Sequence, residues 1–187
     1  MRKFWERWFL GKKRSSTMAD VQALPVGATP APDLPHAPSS GAGLNLEALH
    51  AFYGAARRCA MLMLQEADFI DENLPEEELP EDLLAETKAI CAALISTKHD
   101  VMHELMEMGE LASKNPDADK VRDYAKRIRE WLIADVPRID KLVKAVQAAS
   151  ETNSDYAGAS LLITEAMAHV LLACVDAIDA QEALGRA

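Results

Sequence analysis

Histidine and carboxylate side chains at helical spacing are the residues of this sequence that could bind a metal ion. His99, His103 and Glu107 follow one another at four-residue steps, so on one helix they share a side. His50 precedes them in one predicted helix, and His169 follows in another. Counting along an up-and-down arrangement of four helices places His50 and His103 at about the same height. Imidazole and carboxylate groups that converge in this way bind zinc or iron in proteins.

The helical faces argue against a buried metal site. Glu47 and His50 do match the Glu-x-x-His unit of ferritin-like di-iron bundles, and hemerythrin-like bundles draw ligands from every helix. However, His99 and His103 lie at the edge of the apolar face of their helix or outside it, and His169 lies in a polar stripe. The third predicted helix contains no histidine. We therefore expect no cofactor, and a metal-binding bundle of the di-iron or hemerythrin type is an alternative hypothesis.

Motifs for other chemistry are absent from the sequence. There is no phosphate-binding glycine loop, nucleophile elbow or paired-cysteine motif, and His99-Asp100 shares only a dipeptide with HD-type phosphohydrolases. Cys59, Cys91 and Cys174 are widely spaced, and each lies on the apolar side of its predicted helix. This pattern predicts small buried side chains in a reducing compartment. The sequence therefore predicts a protein that is not an enzyme.

Aromatic and basic residues are concentrated in residues 1–14, MRKFWERWFLGKKR. On a short amphipathic helix the aromatic rings would share one side. Such rings insert at the headgroup level of a membrane while bases are attracted to anionic lipid, and they would equally fill a groove on a partner protein. The predicted docking residues are Phe4, Trp5, Trp8 and Phe9 with Arg2, Lys3, Arg7, Lys12, Lys13 and Arg14. Two alternatives are that this segment folds back onto the rest of the chain, or that Met18 is the true start.

Residues 15–43 are predicted to be a flexible linker. Five prolines alternate there with alanine, serine and glycine, which prevents a regular helix and favours extended chain. Residues 44–187 then contain four stretches of helical periodicity. They run at about 44–73, 80–113, 118–150 and 157–180. The sequence therefore predicts an all-α protein, an antiparallel up-and-down four-helix bundle that follows a Pro/Ala-rich linker and a short N-terminal amphipathic helix.

Two of these helices carry distinctive signals. The last is the most apolar stretch of the chain, but Glu165, Asp176 and Asp179 argue against a membrane span, so we expect the inner helix of a soluble bundle. The third is rich in lysine and arginine and is expected beside the acidic second helix. Pro137 should kink or break it, and a break would let Asp135 cap the second half.

The charge is distributed unevenly along the chain. Residues 1–14 hold six bases and one acid, so the other 173 residues hold 14 bases and 29 acids. This acidic body argues against nucleic-acid binding, which requires a basic face. The basic start is not followed by a secretory apolar region, which predicts a cytoplasmic protein, at the inner face of the membrane if residues 1–14 bind lipid.

Together these patterns predict a non-enzymatic interaction or adaptor protein. Residues 1–14 would tether the acidic bundle to an anionic membrane surface or to a partner protein, and the bundle would hold a second protein partner. A secretion or assembly chaperone is a further alternative, in which the apolar last helix is partly exposed and drives formation of a homodimer.

Overall fold

A computed structural model describes residues 44–114 and 117–186 of the chain. Every regular element in these two ranges is helical, and four of the helices are long, so the prediction of an all-α protein with four helices is confirmed. The docking segment 1–14 and the linker 15–43 lie outside the described residues. The long helices are α1 (Leu46–Asn73), α2 (Glu81–Lys114), α3 (Ala118–Thr152) and α4 (Ala157–Arg186). Single 3₁₀ turns occupy Glu76–Glu78 and Ser154–Tyr156.

Side-chain caps define where two of the helices begin. The Asn45 side chain accepts a hydrogen bond from the backbone N–H of Ala48 at 3.1 Å, and Asp117 accepts one from Lys120 at 3.1 Å. Each cap satisfies one of the N–H groups that the first turn of a helix leaves without a backbone partner. The starts of α1 and α3 are therefore encoded locally.

One apolar stripe from each helix forms the core. Burial of each large side chain stabilises the fold by roughly 1.5–3 kcal/mol before the entropy of ordering is counted. Fully buried large side chains come from all four helices, namely Phe52, Met63, Ile70, Leu94, Leu105, Met108, Ile128, Leu132, Ile139, Leu142, Ile163 and Met167. The helical faces that periodicity predicts as apolar are therefore the faces that pack.

Ion pairs join α2 to α3 along their length. Arg127 binds Glu104 at 2.7 Å, and Lys141 binds Glu86 at 2.9 Å. The later residue of α3, Lys141, binds the earlier residue of α2, Glu86, so the two helices run in opposite directions. The expectation that basic α3 lies beside acidic α2 is confirmed. Helix α1 contacts α2 and α4, and α3 also contacts α4.

The predicted break at Pro137 is wrong, because α3 continues through it as one helix. Pro137 lacks the N–H that would bond the carbonyl of Ile133, a loss that costs about 3 kcal/mol in a helix interior. Pro137 and Ile133 are both exposed, so this side of α3 faces solvent. Leu132 and Ile139 are fully buried on either side and hold both halves of the helix in the core. Asp135 therefore caps no second half.

Helix α4 combines great length with an apolar composition. Among the described residues, Ser154–Arg186 is the one helical segment long and apolar enough to cross a membrane, a criterion that the core helix of a soluble protein also meets. Here α4 contacts both α1 and α3. Its predicted inward residues are all buried: Ile163, Met167, Val170, Leu171, Cys174 and Ile178.

Candidate interaction surface

A groove of about 510 Å³ lies between α1 and α4. Side chains from both helices line it, near the end of α1 and in the first half of α4. They are Gln65, Glu66, Asp68, Phe69 and Glu72 from α1, and Glu165, Ala166 and His169 from α4. Since α1 and α4 pack directly against each other, both walls of the groove are helical.

A buried carboxylate joins the two walls of this groove. Glu66 is only 9% exposed, and its Oε1 lies 2.9 Å from Nδ1 of His169. A carboxylate on the buried side of a helix requires a hydrogen-bond partner, because an unpaired one would lose its solvation without compensation. His169 supplies that partner from α4 while its ring stays largely exposed. The pair therefore fixes where the outer edges of α1 and α4 meet.

The groove is acidic and partly aromatic. Glu66, Asp68, Glu72 and Glu165 contribute four carboxylates, and none of its described lining residues is lysine or arginine. Phe69 is 46% exposed, so its ring is accessible at the groove. Negative charge beside an exposed ring favours a ligand that carries both positive charge and an apolar part. The surface thus fits a basic amphipathic segment.

A smaller groove of about 270 Å³ between α1 and α2 holds a cysteine. Burial raises the pKa of Cys91 to about 11, and the negative charge of Asp71 acts in the same direction. The thiolate is the nucleophilic form of cysteine, so at neutral pH this side chain is almost entirely the unreactive thiol. Cys91 is therefore a weak nucleophile at neutral pH.

The metal-ligand candidates do not converge. His50, His99, His103 and Glu107 are exposed on their helices, and His169 contacts Glu66. Within residues 44–114 and 117–186, no group of three or more histidine, cysteine or acidic side chains is arranged to hold a metal ion. The chemistry of a di-iron or hemerythrin-like centre therefore has no set of side chains to support it in this part of the chain.

The expected common height of His50 and His103 is wrong. The ring of Tyr53 lies 3.8 Å from the place that a Cβ on Gly109 would occupy, while Asp71 lines the same groove as Cys91. Helices α1 and α2 thus run in opposite directions, with Tyr53 level with Gly109. His50 is three residues before Tyr53 and His103 six before Gly109, which separates their heights by about 13 Å.

A second buried carboxylate lies between α2 and α3. Asp135 is 4% exposed, and it accepts a hydrogen bond from the Thr97 hydroxyl at 2.7 Å. Burial raises the pKa of Asp135, while the Thr97 hydrogen bond and the Arg138 charge act in the opposite direction. Helical periodicity places Asp135 on the apolar side of its helix, but it cannot identify Thr97 as the partner.

Two large apolar residues of α4 face away from the core. Leu161 is 60% exposed and Leu172 is 47% exposed. They are eleven residues apart, which rotates them by only about 20° around the helix, so they lie in one stripe. Met106 on α2 is also exposed. The apolar character of α4 therefore extends onto its outer surface.

Sequence reasoning did not identify Glu66 as a site residue, although a signal was present. Glu66 follows Met63 by three residues and Cys59 by seven, so it continues the predicted core seam of α1. A carboxylate in such a seam needs a partner on a neighbouring helix. The predicted docking residues of segment 1–14 lie outside the described residues. The groove between α1 and α4 is a candidate surface that the sequence did not predict.

No protein-family model, curated protein or solved structure matches this chain. Its function is therefore inferred from its own residues.

Replacing Asp135 by asparagine should change the pH dependence of stability. The unfolded chain ionises this aspartate near pH 4, whereas the folded protein ionises it at higher pH. The stability that protonated Asp135 contributes is therefore present below about pH 4 and is lost as pH rises through the raised pKa. The asparagine amide cannot ionise, so we expect Asp135→Asn to gain stability relative to wild type as pH rises above about 4.

Urea unfolding followed by circular dichroism at a series of pH values measures this difference. Asp123→Asn, at an exposed position on the same helix, is the matched control and should show a much smaller dependence. A stability difference between Asp135→Asn and wild type that stays constant from pH 4 to 7 would contradict the expectation.

Proposed function

We propose that this protein is a non-enzymatic adaptor built on an antiparallel up-and-down four-helix bundle. The bundle is supported by the neighbours that each helix contacts and by the opposite directions of α1 and α2 and of α2 and α3. Short connections between consecutive helices are typical of this topology. A kink at Pro137, as distinct from a break, stays a prediction.

The acidic groove between α1 and α4 is the observation that carries the proposal. It combines four carboxylates with the exposed ring of Phe69 on two helices that Glu66 and His169 hold together. A basic segment with one apolar anchor residue would place that residue against Phe69 and its charges beside the carboxylates. The excess of acids over bases in residues 15–187 would attract such a segment at long range.

Residues 1–14 supply the second contact of the adaptor, with an anionic membrane surface. Their six bases would each contribute roughly 1 kcal/mol near anionic lipid, and the four aromatic rings would insert at the headgroup level. The acidic helical domain would be repelled by the same surface and stand away from it on linker 15–43. That arrangement leaves the groove accessible to a partner in the cytoplasm.

A peptide titration tests the groove. The probe is a fluorescently labelled synthetic helix of lysine and leucine, with the leucines on one side, and the full chain is the titrant. We expect the double variant Glu72→Lys and Glu165→Lys to lower the affinity at least about tenfold, because two charges of the groove change sign. Added salt should weaken binding to wild type.

The matched control places the same two charge reversals elsewhere. Glu130→Lys and Glu151→Lys lie at exposed positions of α3, outside the groove. This control should lose much less affinity, since only the long-range field changes. Equal losses for the two double variants would show that the probe responds to net charge alone and would remove the groove from the proposal.

Liposome flotation tests the membrane contact. The full chain should float with anionic vesicles and not with neutral ones. The variant Trp5→Glu and Trp8→Glu should stay with the unbound protein, because it loses two inserting rings and gains two repelled charges. Ser15→Glu and Ser16→Glu add the same charge next to the segment without removing a ring, so that variant should keep part of its binding.

Either of two results would contradict the membrane contact. One is unchanged flotation of the Trp5→Glu and Trp8→Glu variant, and the other is failure of wild type to float with anionic lipid. In the second case a groove on a partner protein becomes the expected target of residues 1–14.

A second candidate function is that of an assembly chaperone, which the exposed stripe of α4 favours. Leu161 and Leu172 would pack against a partner helix, or against a second copy of the chain when no partner is present. Sedimentation velocity should then show a dimer whose population rises with protein concentration. Leu161→Lys and Leu172→Lys should abolish it, while the control Met106→Lys, at an exposed apolar position of α2, should not. A monomer at every concentration would end this candidate.

A further inference from the structure

Two cysteines from the first and last helices meet in the core. The Sγ atoms of Cys59 on α1 and Cys174 on α4 are 3.6 Å apart, and both side chains are 0% exposed. All three cysteines of the chain are free thiols. At this separation the two sulfur atoms are in direct contact and share an S–H···S hydrogen bond, so no water lies between them.

The surroundings of Cys174 disfavour its thiolate. The hydrogen bond with Cys59 and burial raise the pKa of Cys174, and the negative charge of Asp135 raises it further. Asp135 in turn accepts the hydrogen bond from Thr97. Cys59, Asp135 and Cys174 are thus buried side chains of three different helices, and the partly exposed Thr97 of α2 donates to Asp135. A disulfide carries no S–H group and cannot ionise, so it suits this environment better than two thiols.

We propose that Cys59 and Cys174 are a redox pair that closes into an intramolecular disulfide, with a hydroperoxide as the oxidant. One thiolate attacks the peroxide oxygen, the O–O bond breaks, and a sulfenic acid and hydroxide form; the hydroxide takes up a proton to become water. The second thiolate then attacks the sulfenic sulfur, the S–S bond forms, and the S–O bond breaks; the hydroxide that leaves takes up the proton that the second thiol lost and becomes a second water. Two thiols and one hydrogen peroxide thus become one disulfide and two waters.

The geometry requires only a small movement. A disulfide bond is about 2.05 Å long, so the sulfur atoms must approach by about 1.5 Å. The two helices that carry these cysteines, α1 and α4, already pack against each other. Cys91 lies instead beside the groove between α1 and α2, near Asp71. The structure thus distinguishes one pair among the three possible pairings.

The reaction is slow at neutral pH and accelerates with alkalinity. The attacking form is the thiolate, and its population at Cys174 grows as pH rises toward the raised pKa. The product links α1 to α4 across most of the helical domain, which restricts the unfolded chain and so opposes unfolding. The pair therefore responds to sustained oxidation rather than to a brief pulse of peroxide.

Thiol counting and peptide mapping of the full chain test this proposal. The reduced protein is incubated with hydrogen peroxide at about pH 8 to 9, unfolded, alkylated and digested with trypsin. Cleavage after lysine and arginine places the cysteines in separate peptides, 59–88, 89–98 and 145–186. We expect free thiols to fall from three to one, with peptide 59–88 linked to 145–186 and Cys91 alkylated. The melting temperature should rise by about 5–15 °C and return to its original value with dithiothreitol.

Two variants separate this pair from other oxidation chemistry. Cys91→Ser should form the same cross-link, whereas Cys174→Ser should form none and keep two free thiols. Cys91→Ser leaves the pair intact, so the presence or absence of the cross-link in this variant tests the proposal even if Cys174→Ser folds poorly. Three free thiols after prolonged treatment, a cross-link that includes Cys91, or a disulfide between two copies of the chain would each overturn the proposal.

Discussion

The constraint on which the structure depends is the apolar circumference of α4. A helix with so few charged positions must be covered on more than one side, and α1 and α3 cover it. Small buried residues such as Ala159, Ala166 and Ala177 lie on the covered sides and allow close approach of the neighbouring backbones. The polar side chains of α4 near the groove, Glu165 and His169, lie on an exposed arc of the helix. The candidate groove forms where that arc meets α1.

Buried polar groups show how the same core tolerates exceptions. Glu66 pairs with His169, Asp135 with Thr97, and Cys59 with Cys174. In each case the two partners come from different helices. A buried polar group without a partner would cost roughly 1–3 kcal/mol, so these pairs also penalise any arrangement that slides one helix along another. The apolar core by itself determines which helical faces are buried. The polar pairs add a preference for one register of each helix against its neighbour.

The difference between burial of helical faces and register between helices explains how much was predictable from the sequence. Helical faces depend on a local period of 3.6 residues, so the core residues of all four helices could be assigned in advance. The height of His50 relative to His103 depends on the register between α1 and α2. Contacts between the helices, such as that of Tyr53 with Gly109, determine this register, and no local sequence pattern encodes it. The break predicted at Pro137 was wrong because a local rule about helix interiors was outweighed by burial on both sides of that proline. Glu66 could be recognised as a polar residue in an apolar seam, but its partner could not.

The proposed groove and the proposed thiol pair share one interface. Glu66 follows Cys59 by seven residues in α1, and His169 precedes Cys174 by five in α4, so the two features lie about 8–10 Å apart along the helices. A covalent link at the thiols would restrict how far the walls of the groove can separate. A ligand favours one conformation only if it binds that conformation more tightly than the other. Oxidation therefore alters the affinity of the groove only if its walls must move when a ligand binds. Glu66 and His169 already hold the walls together. We therefore expect the disulfide to leave the shape of the groove unchanged and to keep its two walls together when the domain partly unfolds.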